Sequence, residues 1–317
     1  MLYYLYYLCD RPEYTMDPLS EVLALLEPRS QMSGGLDAGG EWSVRFPRHT
    51  GIKCYAIVAG QCWLAVDGVA DPVRLQTGDC FILPGGRPFR LASDLALTPV
   101  DAHTVFPAAG KGGIARCNGG GDFSLVGSYF VLSGRHADIL LGMLPPIVHI
   151  RKPEEQTALR DAVERMMQEL REPLPGGYLV TQHLAHMLLL QALRLHLTQG
   201  GGVGWLFALA DRQMGAAIGV MHAEPARRWT VQALAAHTGM SRSSFALKFK
   251  RTVGLAPMEY LTRWRMQLAA DRLARTRDPV SVIAPALGYE SESAFSTAFK
   301  RVMGCPPRRF APDAKRA

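Results

Sequence analysis

The chain has 317 residues, of which 48% are hydrophobic, 20% charged and 9% aromatic, and this composition excludes a disordered, collagen-like or mini-protein chain. Its length predicts two domains rather than one. Six cysteines without a CxxC pair are too few for a disulfide scaffold, so we expect a reducing compartment, the cytoplasm. Polar residues interrupt the most apolar run, 184–197, which is too short to span a membrane, so we expect a soluble protein without a membrane partner.

Residues 1–15 form a Tyr-rich apolar stretch at the start of the chain. No basic residue precedes this stretch and no small-residue cleavage site follows it, although a signal peptide needs both. A more typical protein sequence begins at Met16. The sequence therefore favours a start at Met16, with residues 1–15 as a leader outside the natural product.

Charge divides the chain into two parts. Residues 211–317 contain 18 Lys and Arg against 8 Asp and Glu, whereas the first 210 residues contain 17 against 20. A basic module on a mildly acidic partner domain is typical of nucleic-acid binding, because that binding depends on neutralised phosphates. A solvated basic surface is the alternative. The glycine-rich segment 200–204 predicts a linker just before the composition changes.

The basic part contains an internal repeat with an offset of 50 residues. Seven of the 15 positions in 243–257 are identical to those in 293–307. In each copy two phenylalanines four residues apart share the inner face of a helix, a Lys-Arg pair follows, and a glycine ends the helix. A short apolar helix and a glycine turn precede each copy. The pattern predicts two helix-turn-helix units, at about 230–254 and 280–304, joined by an amphipathic helix at 258–275.

The second unit carries a longer motif, which reads Ile283-Ala284-x-x-x-Gly288-Tyr289-x-Ser291-x-Ser293-x-Phe295-x-x-x-Phe299-Lys300-Arg301-x-x-Gly304-x-x-Pro307. With this motif, residues 211–312 resemble the AraC/XylS-type transcriptional regulators. Pro285 departs from the family pattern, and inside a helix it costs one backbone hydrogen bond. The resemblance implies double-stranded DNA and RNA polymerase as partners, a homodimer and, by analogy alone, an activator.

The outward faces of the two recognition helices supply the candidate DNA contacts. By the resemblance, early outward positions enter the major groove, which predicts as base-reading residues Arg242, Ser243, Ala246, Leu247, Glu292, Ser293, Ser296 and Thr297. Predicted phosphate contacts, which position the protein without specifying sequence, are Lys248, Lys250, Arg251, Ser291, Lys300 and Arg301. Direct readout would depend mainly on hydroxyl and methyl contacts. Such weak base-reading chemistry leaves a nonspecific architectural DNA binder as an alternative.

The N-terminal part has the pattern of a small β-barrel. Between residues 41 and 93 six short strands alternate with glycine turns, which predicts a barrel or jelly roll. Residues 78–89 resemble the second cupin motif, in which a metal-binding histidine follows Pro-x-Gly, but Phe89 stands at that position. The segment 51–60, where the first cupin motif would lie, contains neither His nor Glu. We therefore expect no metal, no cofactor and no catalytic residue, and a cupin-type enzyme is the less favoured alternative.

A barrel without a metal can still bind a small molecule in its mouth. The residues predicted to line this effector pocket are Trp42, Arg45, Tyr55, Trp63 and Phe89. Core packing is the alternative for each of them. Cys54, Cys62 and Cys80 all lie in predicted strands and could form a redox-sensitive pair, although a buried cysteine acting as a small hydrophobe is commoner.

Residues 134–199 are predicted to be helical, with helices at 154–170 and 178–197. The second helix is apolar on nearly all sides, which indicates burial by more than one neighbour. Here we expect a dimer contact rather than a metal site at the His183 and His186 pair, which lacks a third ligand.

Together these features predict an α+β, multidomain protein with an N-terminal cupin-like β-barrel followed by helices and an all-α double helix-turn-helix domain. The predicted domains are a sensor at 16–133, a helical dimerisation segment with its linker at 134–204, and a DNA-binding domain at 205–317. The predicted function is sequence-specific transcription regulation in response to a small-molecule effector. A cysteine-based redox regulator is the first alternative.

Overall fold

The computed structural model describes residues 16–106, 113–132, 144–151, 157–172, 174–199, 204–276 and 278–310. By their contacts these residues form two compact units, one within 26–210 and the other made of 16–25 and 211–310. The expected leader, residues 1–15, lies outside the described residues, as does most of the glycine-rich linker. Within the described ranges, no helix combines the length and the apolar character that a membrane crossing requires.

Eleven strands and eleven helices are assigned within the described residues. The strands are β1 (Arg29–Ala38), β2 (Ser43–Phe46), β3 (Ile52–Ala59), β4 (Gln61–Val66), β5 (Val73–Gln76), β6 (Cys80–Leu83), β7 (Phe89–Ala92), β8 (Val100–Asp101), β9 (Gly113–Cys117), β10 (Phe123–Val131) and β11 (Val148–Ile150). The helices are α1 (Pro18–Leu26), α2 (Ala102–Val105), α3 (Thr157–Arg171), α4 (Gly177–Gln199), α5 (Trp205–Ala210), α6 (Arg212–Ala223), α7 (Val231–His237), α8 (Arg242–Val253), α9 (Pro257–Arg275), α10 (Val280–Ala286) and α11 (Glu292–Met303).

The unit Leu26–Ala210 is built on two β-sheets that share one hydrophobic core. One sheet has the strand order β11-β6-β3-β10-β1-β9 and the other β5-β4-β7-β2-β8. Buried aliphatic and aromatic side chains of both sheets form the core, among them Leu36, Leu64, Phe81 and Phe89. The six strands predicted between residues 41 and 93 are all present, as β2 to β7. The predicted mixed α+β fold, with an N-terminal sheet domain, is therefore confirmed.

Helices α3 and α4 pack on the first sheet. Gln182 Nε2 on α4 donates to the Ser30 carbonyl at 3.0 Å, and the His186 ring lies edge-on to Phe130. The expectation of helix throughout 134–199 was wrong at β11, where residues 148–150 pair antiparallel with β6. The alternating side chains of Val148 and Ile150 are fully buried there, which gives this short segment the period of a strand.

The C-terminal unit contains two helix-turn-helix pairs, α7–α8 and α10–α11, joined by α9. Ser241 Oγ and Ser291 Oγ cap α8 and α11 by accepting from the Ser244 and Ala294 amides, both at 3.2 Å. Gly254 and Gly304 end the same two helices in left-handed conformations, with φ of 84° and 75°. The four repeated phenylalanines are fully buried. The two predicted helix-turn-helix units are thus confirmed.

The contacts of helix α1 place it in the C-terminal unit. Glu21 Oε2 lies 2.8 Å from His222 Nδ1, and His222 Nε2 lies 2.9 Å from the Tyr260 hydroxyl. The buried His222 ring also stacks on Trp264, with ring centroids 3.7 Å apart. The structure therefore groups α1 with the DNA-binding unit, whereas the sequence assigns residues 16–133 together to the sensor.

Candidate functional site

The two recognition helices, α8 and α11, present the predicted base-reading residues on their outer faces. Arg242, Ser243, Leu247, Glu292, Ser293 and Thr297 are exposed, while Ala246 and Ser296 are half-buried. Leu247 is 72% exposed, so its apolar side chain is free to contact a partner. Such a side chain can contact a thymine methyl group in a major groove. The Thr297 hydroxyl donates to the Ser293 carbonyl at 2.9 Å, which leaves its oxygen lone pairs able to accept from a base.

The predicted phosphate contacts fall into two groups. Lys250, Arg251, Lys300 and Arg301 are exposed near the ends of α8 and α11 and can approach a phosphate without rearrangement. Lys248 differs, because it is half-buried and its Nζ lies 2.8 Å from Asp211 Oδ2 and 2.9 Å from Gln213 Oε1. Ser291 Oγ already accepts the capping hydrogen bond of α11, although its side chain is exposed. The exposed cations are thus the better suited phosphate contacts.

A cavity of about 730 Å³ opens in the sheet unit, lined by parts of β1, β2, β3, β10 and α2. Of the five predicted pocket residues, Tyr55 lines this cavity. Phe89 is fully buried in the core, with its ring centroid 6.3 Å from that of Tyr55. Trp42 is a buried core residue, and Trp63 lies under the Arg74 guanidinium. Arg45 is exposed and forms a 2.7 Å ion pair with Asp67.

Sequence reasoning missed several cavity residues that carry titratable groups, among them Lys53 and His49. Burial lowers the pKa of Lys53 to about 8. Burial and the nearby Lys53 charge lower the pKa of His49 to about 4, so this imidazole is neutral at physiological pH. A usable signal was present, since Lys53 is the one charged residue in the otherwise apolar strand β3, IKCYAIVA.

Two of the three predicted redox cysteines meet. Cys54 on β3 and Cys80 on β6 are fully buried on neighbouring strands, and a hydrogen bond between their thiols, together with burial, raises the pKa of Cys54. Cys62 lies instead in the core shared by the two sheets, where burial and the Asp79 carboxylate raise its pKa. Raised pKa values disfavour the reactive thiolate.

The described residues contain no group of three or more His, Cys, Asp and Glu side chains placed to hold a metal ion. In the helical His pair, both ring nitrogens of His186 lie within hydrogen-bond distance of backbone carbonyls, those of Gln182 and Pro28. His183 is exposed. This pair is therefore an unsuitable metal site as it stands, since one of its members is engaged with the backbone.

Comparisons with known protein families match one family model to each of the two parts of the chain. A cupin family model matches residues 17–198, and a helix-turn-helix domain model matches residues 234–312. The chain is 45% identical over 296 residues to an AraC-like transcription regulator of Streptomyces lividans, which covers 92% of this chain and 97% of the relative. It is 30% identical over 304 residues to the HTH-type transcriptional regulator MtrA of Neisseria gonorrhoeae, with coverage of 92% and 97%.

Among solved structures, the DNA-binding domain of AdpA in complex with a target DNA covers 30% of this chain and 85% of that chain, with 26% identity and a TM-score of 0.29. The family assignment comes from the cupin match over residues 17–198 and the relatives that span nearly the whole chain. The chain therefore belongs to the AraC family of DNA-binding transcription regulators, with an N-terminal cupin domain.

Proposed function

We propose that the protein is a cytoplasmic, sequence-specific regulator of transcription whose cupin domain binds a small-molecule effector. The observation that carries the proposal is the pair of capped recognition helices, α8 and α11, whose predicted base-reading faces are exposed in both copies. The cavity of about 730 Å³ supports the effector, because its volume falls in the usual range of small-molecule sites. Activation through RNA polymerase is part of the proposal and rests on family membership.

In this proposal the two recognition helices divide the work of binding between them. Leu247 supplies an apolar contact to a base edge, and Ser293 and Thr297 supply hydroxyls that can bond to either partner of a base pair. Lys250, Arg251 and their counterparts in α11 bind phosphates and fix the register. An effector regulates DNA binding only if it binds more tightly to one conformation of the protein than to another, and if these conformations present α8 and α11 differently to DNA.

Selection of genomic DNA fragments by the purified full-length protein tests this function. We expect a motif with two half-sites about one helical turn apart. The double variant Ser293→Ala/Thr297→Ala should lose the preference for one half-site, with binding weakened by about 1 to 3 kcal/mol per lost base contact. Ser281→Ala is the matched control, since Ser281 is an exposed serine on α10 outside the predicted reading face.

Two outcomes of the selection would favour the alternatives. Fragments bound without sequence preference would contradict specific regulation and indicate an architectural DNA binder. A motif that is lost after treatment with hydrogen peroxide, and kept by a Cys54→Ser variant, would favour redox sensing through oxidation of the two thiols to a disulfide, with peroxide reduced to water. The contact between Cys54 and Cys80 favours this alternative, while their complete burial and the raised pKa of Cys54 count against it.

We also propose that the protein is a homodimer that associates through α4. One face of this helix exposes large apolar side chains, with Leu179 59% and Met187 45% exposed. These residues are eight positions apart on one helix, so they share a face. A second copy of the same helix would cover this face symmetrically.

The double variant Leu179→Ser/Met187→Ser tests the dimer by sedimentation velocity. Burying a leucine or methionine contributes about 1.5 to 3 kcal/mol, and each residue is buried twice in a symmetric dimer. We therefore expect the dissociation constant of the dimer to rise by at least ~100-fold in this variant. Val282→Ser is the control, because Val282 is 50% exposed in the other unit. A variant that stays dimeric at the same concentration would place the interface elsewhere.

A further inference from the structure

Strand β3 delivers two polar side chains to the cavity of the cupin domain. Lys53 and Tyr55 lie two positions apart, so they point to the same side of the strand, and both line the cavity. Gly127 is the cross-strand neighbour of Tyr55 on β10. A Cβ at Gly127 would lie 2.3 Å from both Tyr55 Cδ1 and the Cys54 carbonyl oxygen, so only glycine lets β10 approach Tyr55 this closely. The sequence thus holds Tyr55 beside Lys53.

Lys53 is a half-buried cation whose charge the described residues leave uncompensated. Its Nζ lies 5.0 Å from the Phe46 ring centroid and 4.9 Å from that of Phe89, an aromatic environment that favours a cation weakly. No ion pair or hydrogen bond joins its Nζ to any described residue, and burial is the cause that lowers its pKa. Removing an ammonium partly from water is costly unless a partner of opposite charge compensates it.

The rest of the cavity supplies no such partner. Among the described residues that line it there is neither Asp nor Glu. Arg48 adds a second, exposed cation. His49 is neutral at physiological pH and adds no charge, and its buried Nδ1 has no hydrogen-bond partner among these residues. Phe46, Phe106 and Leu125 make most of the remaining wall apolar.

We propose that this cavity binds an apolar organic monoanion, with its carboxylate paired to Lys53 Nζ and its hydrocarbon or aromatic body against the apolar wall. The proposal rests on the proposed function and names the chemical class of its effector. One half-buried cation matches one carboxylate, and the Tyr55 hydroxyl, which bonds to none of the described residues, can donate to the second carboxylate oxygen. A di- or triphosphate would need more cations than Lys53 and Arg48 provide.

Isothermal titration of the full-length protein with matched acids and amides tests the site. The probes are octanoic, decanoic and 4-butylbenzoic acids, each compared with its own primary amide, which keeps the apolar body and removes the charge. We expect at least one acid to bind at least ~10-fold more tightly than its amide, which corresponds to about 1.4 kcal/mol. Lys53→Met should abolish this preference while the amide binds both proteins equally.

Arg45→Met is the matched control, because Arg45 is a cation of the same domain that lies outside the cavity lining and pairs with Asp67 at the surface. This variant should keep the full preference for the acid. Equal binding of every acid and its amide, no binding of any probe, or an unchanged preference in Lys53→Met would each overturn the proposal.

The selection of DNA fragments separates this inference from the proposed function. A specific DNA motif without any acid preference would overturn the ligand class and leave the regulator intact. An acid that binds through Lys53 but changes neither the affinity nor the motif would establish the site and overturn its role as an effector site.

Discussion

Lys53→Met is expected to stabilise the cupin domain at neutral pH. Burial lowers the pKa of Lys53 from 10.5 to about 8, which means that the folded state holds the ammonium less favourably than the unfolded chain does. Each pKa unit corresponds to about 1.36 kcal/mol, so the penalty is on the order of 3 kcal/mol. Methionine fills similar space without a charge, and we expect a gain of about 2 kcal/mol.

The pH dependence of stability distinguishes this charge effect from a change in packing, which would not vary with pH. Because the folded pKa lies below the unfolded one, the penalty is fully present below about pH 8 and disappears as the pH rises towards 10.5. The wild-type domain should therefore gain stability over this window, and the advantage of Lys53→Met should shrink over the same range. The other charged or titratable groups that line the cavity are Arg48, His49, Tyr55, His103 and Tyr129. Of these, His49 is neutral at these pH values, and burial raises the pKa of Tyr55.

Differential scanning calorimetry of the full-length protein at pH 7 and pH 10 measures this effect. A gain of about 2 kcal/mol should raise the Tm of the cupin transition by about 5 °C at pH 7. Arg45→Met should stay within about 0.5 kcal/mol of wild type, as exposed substitutions usually do. Destabilisation by Lys53→Met at pH 7 would mean that Lys53 has a partner in the folded protein. A variant that is more stable yet unable to bind acids would show stability exchanged for ligand binding.

Gly288→Ala is expected to disrupt the second helix-turn-helix unit, and Gly239→Ala serves as its matched control. Both glycines occupy the turn of their unit with left-handed backbones, with φ of 78° at Gly288 and 68° at Gly239. At either position, an alanine forced into the left-handed backbone conformation lowers the free energy of unfolding by about 1 to 2 kcal/mol. The surroundings differ, because a Cβ at Gly288 would lie 2.3 Å from the Ala226 carbonyl oxygen and 2.9 Å from Arg265 Nη2, whereas the space around Gly239 is open within 4 Å.

The contact at Gly288 is with backbone, so the turn itself has to move. Arg265 cannot yield freely either, since its guanidinium donates to the Pro225 and Arg227 carbonyls at 2.6 Å and 2.8 Å. We expect Gly288→Ala to cost about 3 kcal/mol or more, against about 1 kcal/mol for Gly239→Ala. Urea unfolding measures the difference, and DNA selection should show loss of one half-site in the Gly288 variant. Equal costs at the two glycines would contradict the crowding argument.

Much of this architecture could be predicted because its signals are local. The repeat around Phe245 and Phe295, the capping serines and the terminal glycines all act within one or two helical turns, so spacing alone predicts both helix-turn-helix units. The strands β2 to β7 are likewise defined by alternation and by glycine turns between neighbours in the chain. The exposure of Ser293, Thr297 and Leu247 follows from the same helical period.

The residues of the candidate ligand site were harder to predict from the sequence. Bulk and aromatic character suggested Trp42 and Trp63, but in a barrel these properties are shared by the core and by a pocket wall. Lys53 is visible in the sequence as the one charged residue of β3, but a lysine in a strand is usually solvated, so this signal alone does not indicate a ligand site. Its significance depends on Phe46 and Phe89 arriving from other strands and on the lack of a described carboxylate in the lining.

The sequence by itself determined the family resemblance, the two helix-turn-helix units and the alternating strands of the cupin domain. The reason is that the periods of helices and strands can be recognised from residues close together in the chain. Only the tertiary structure decided that residues 148–150 add a strand beside β6 and that α1 joins the DNA-binding unit through Glu21 and His222. It also left Lys53 as a half-buried charge without an ion-pair partner among the described residues. Each of these depends on pairings between distant segments, whose partners no local pattern specifies.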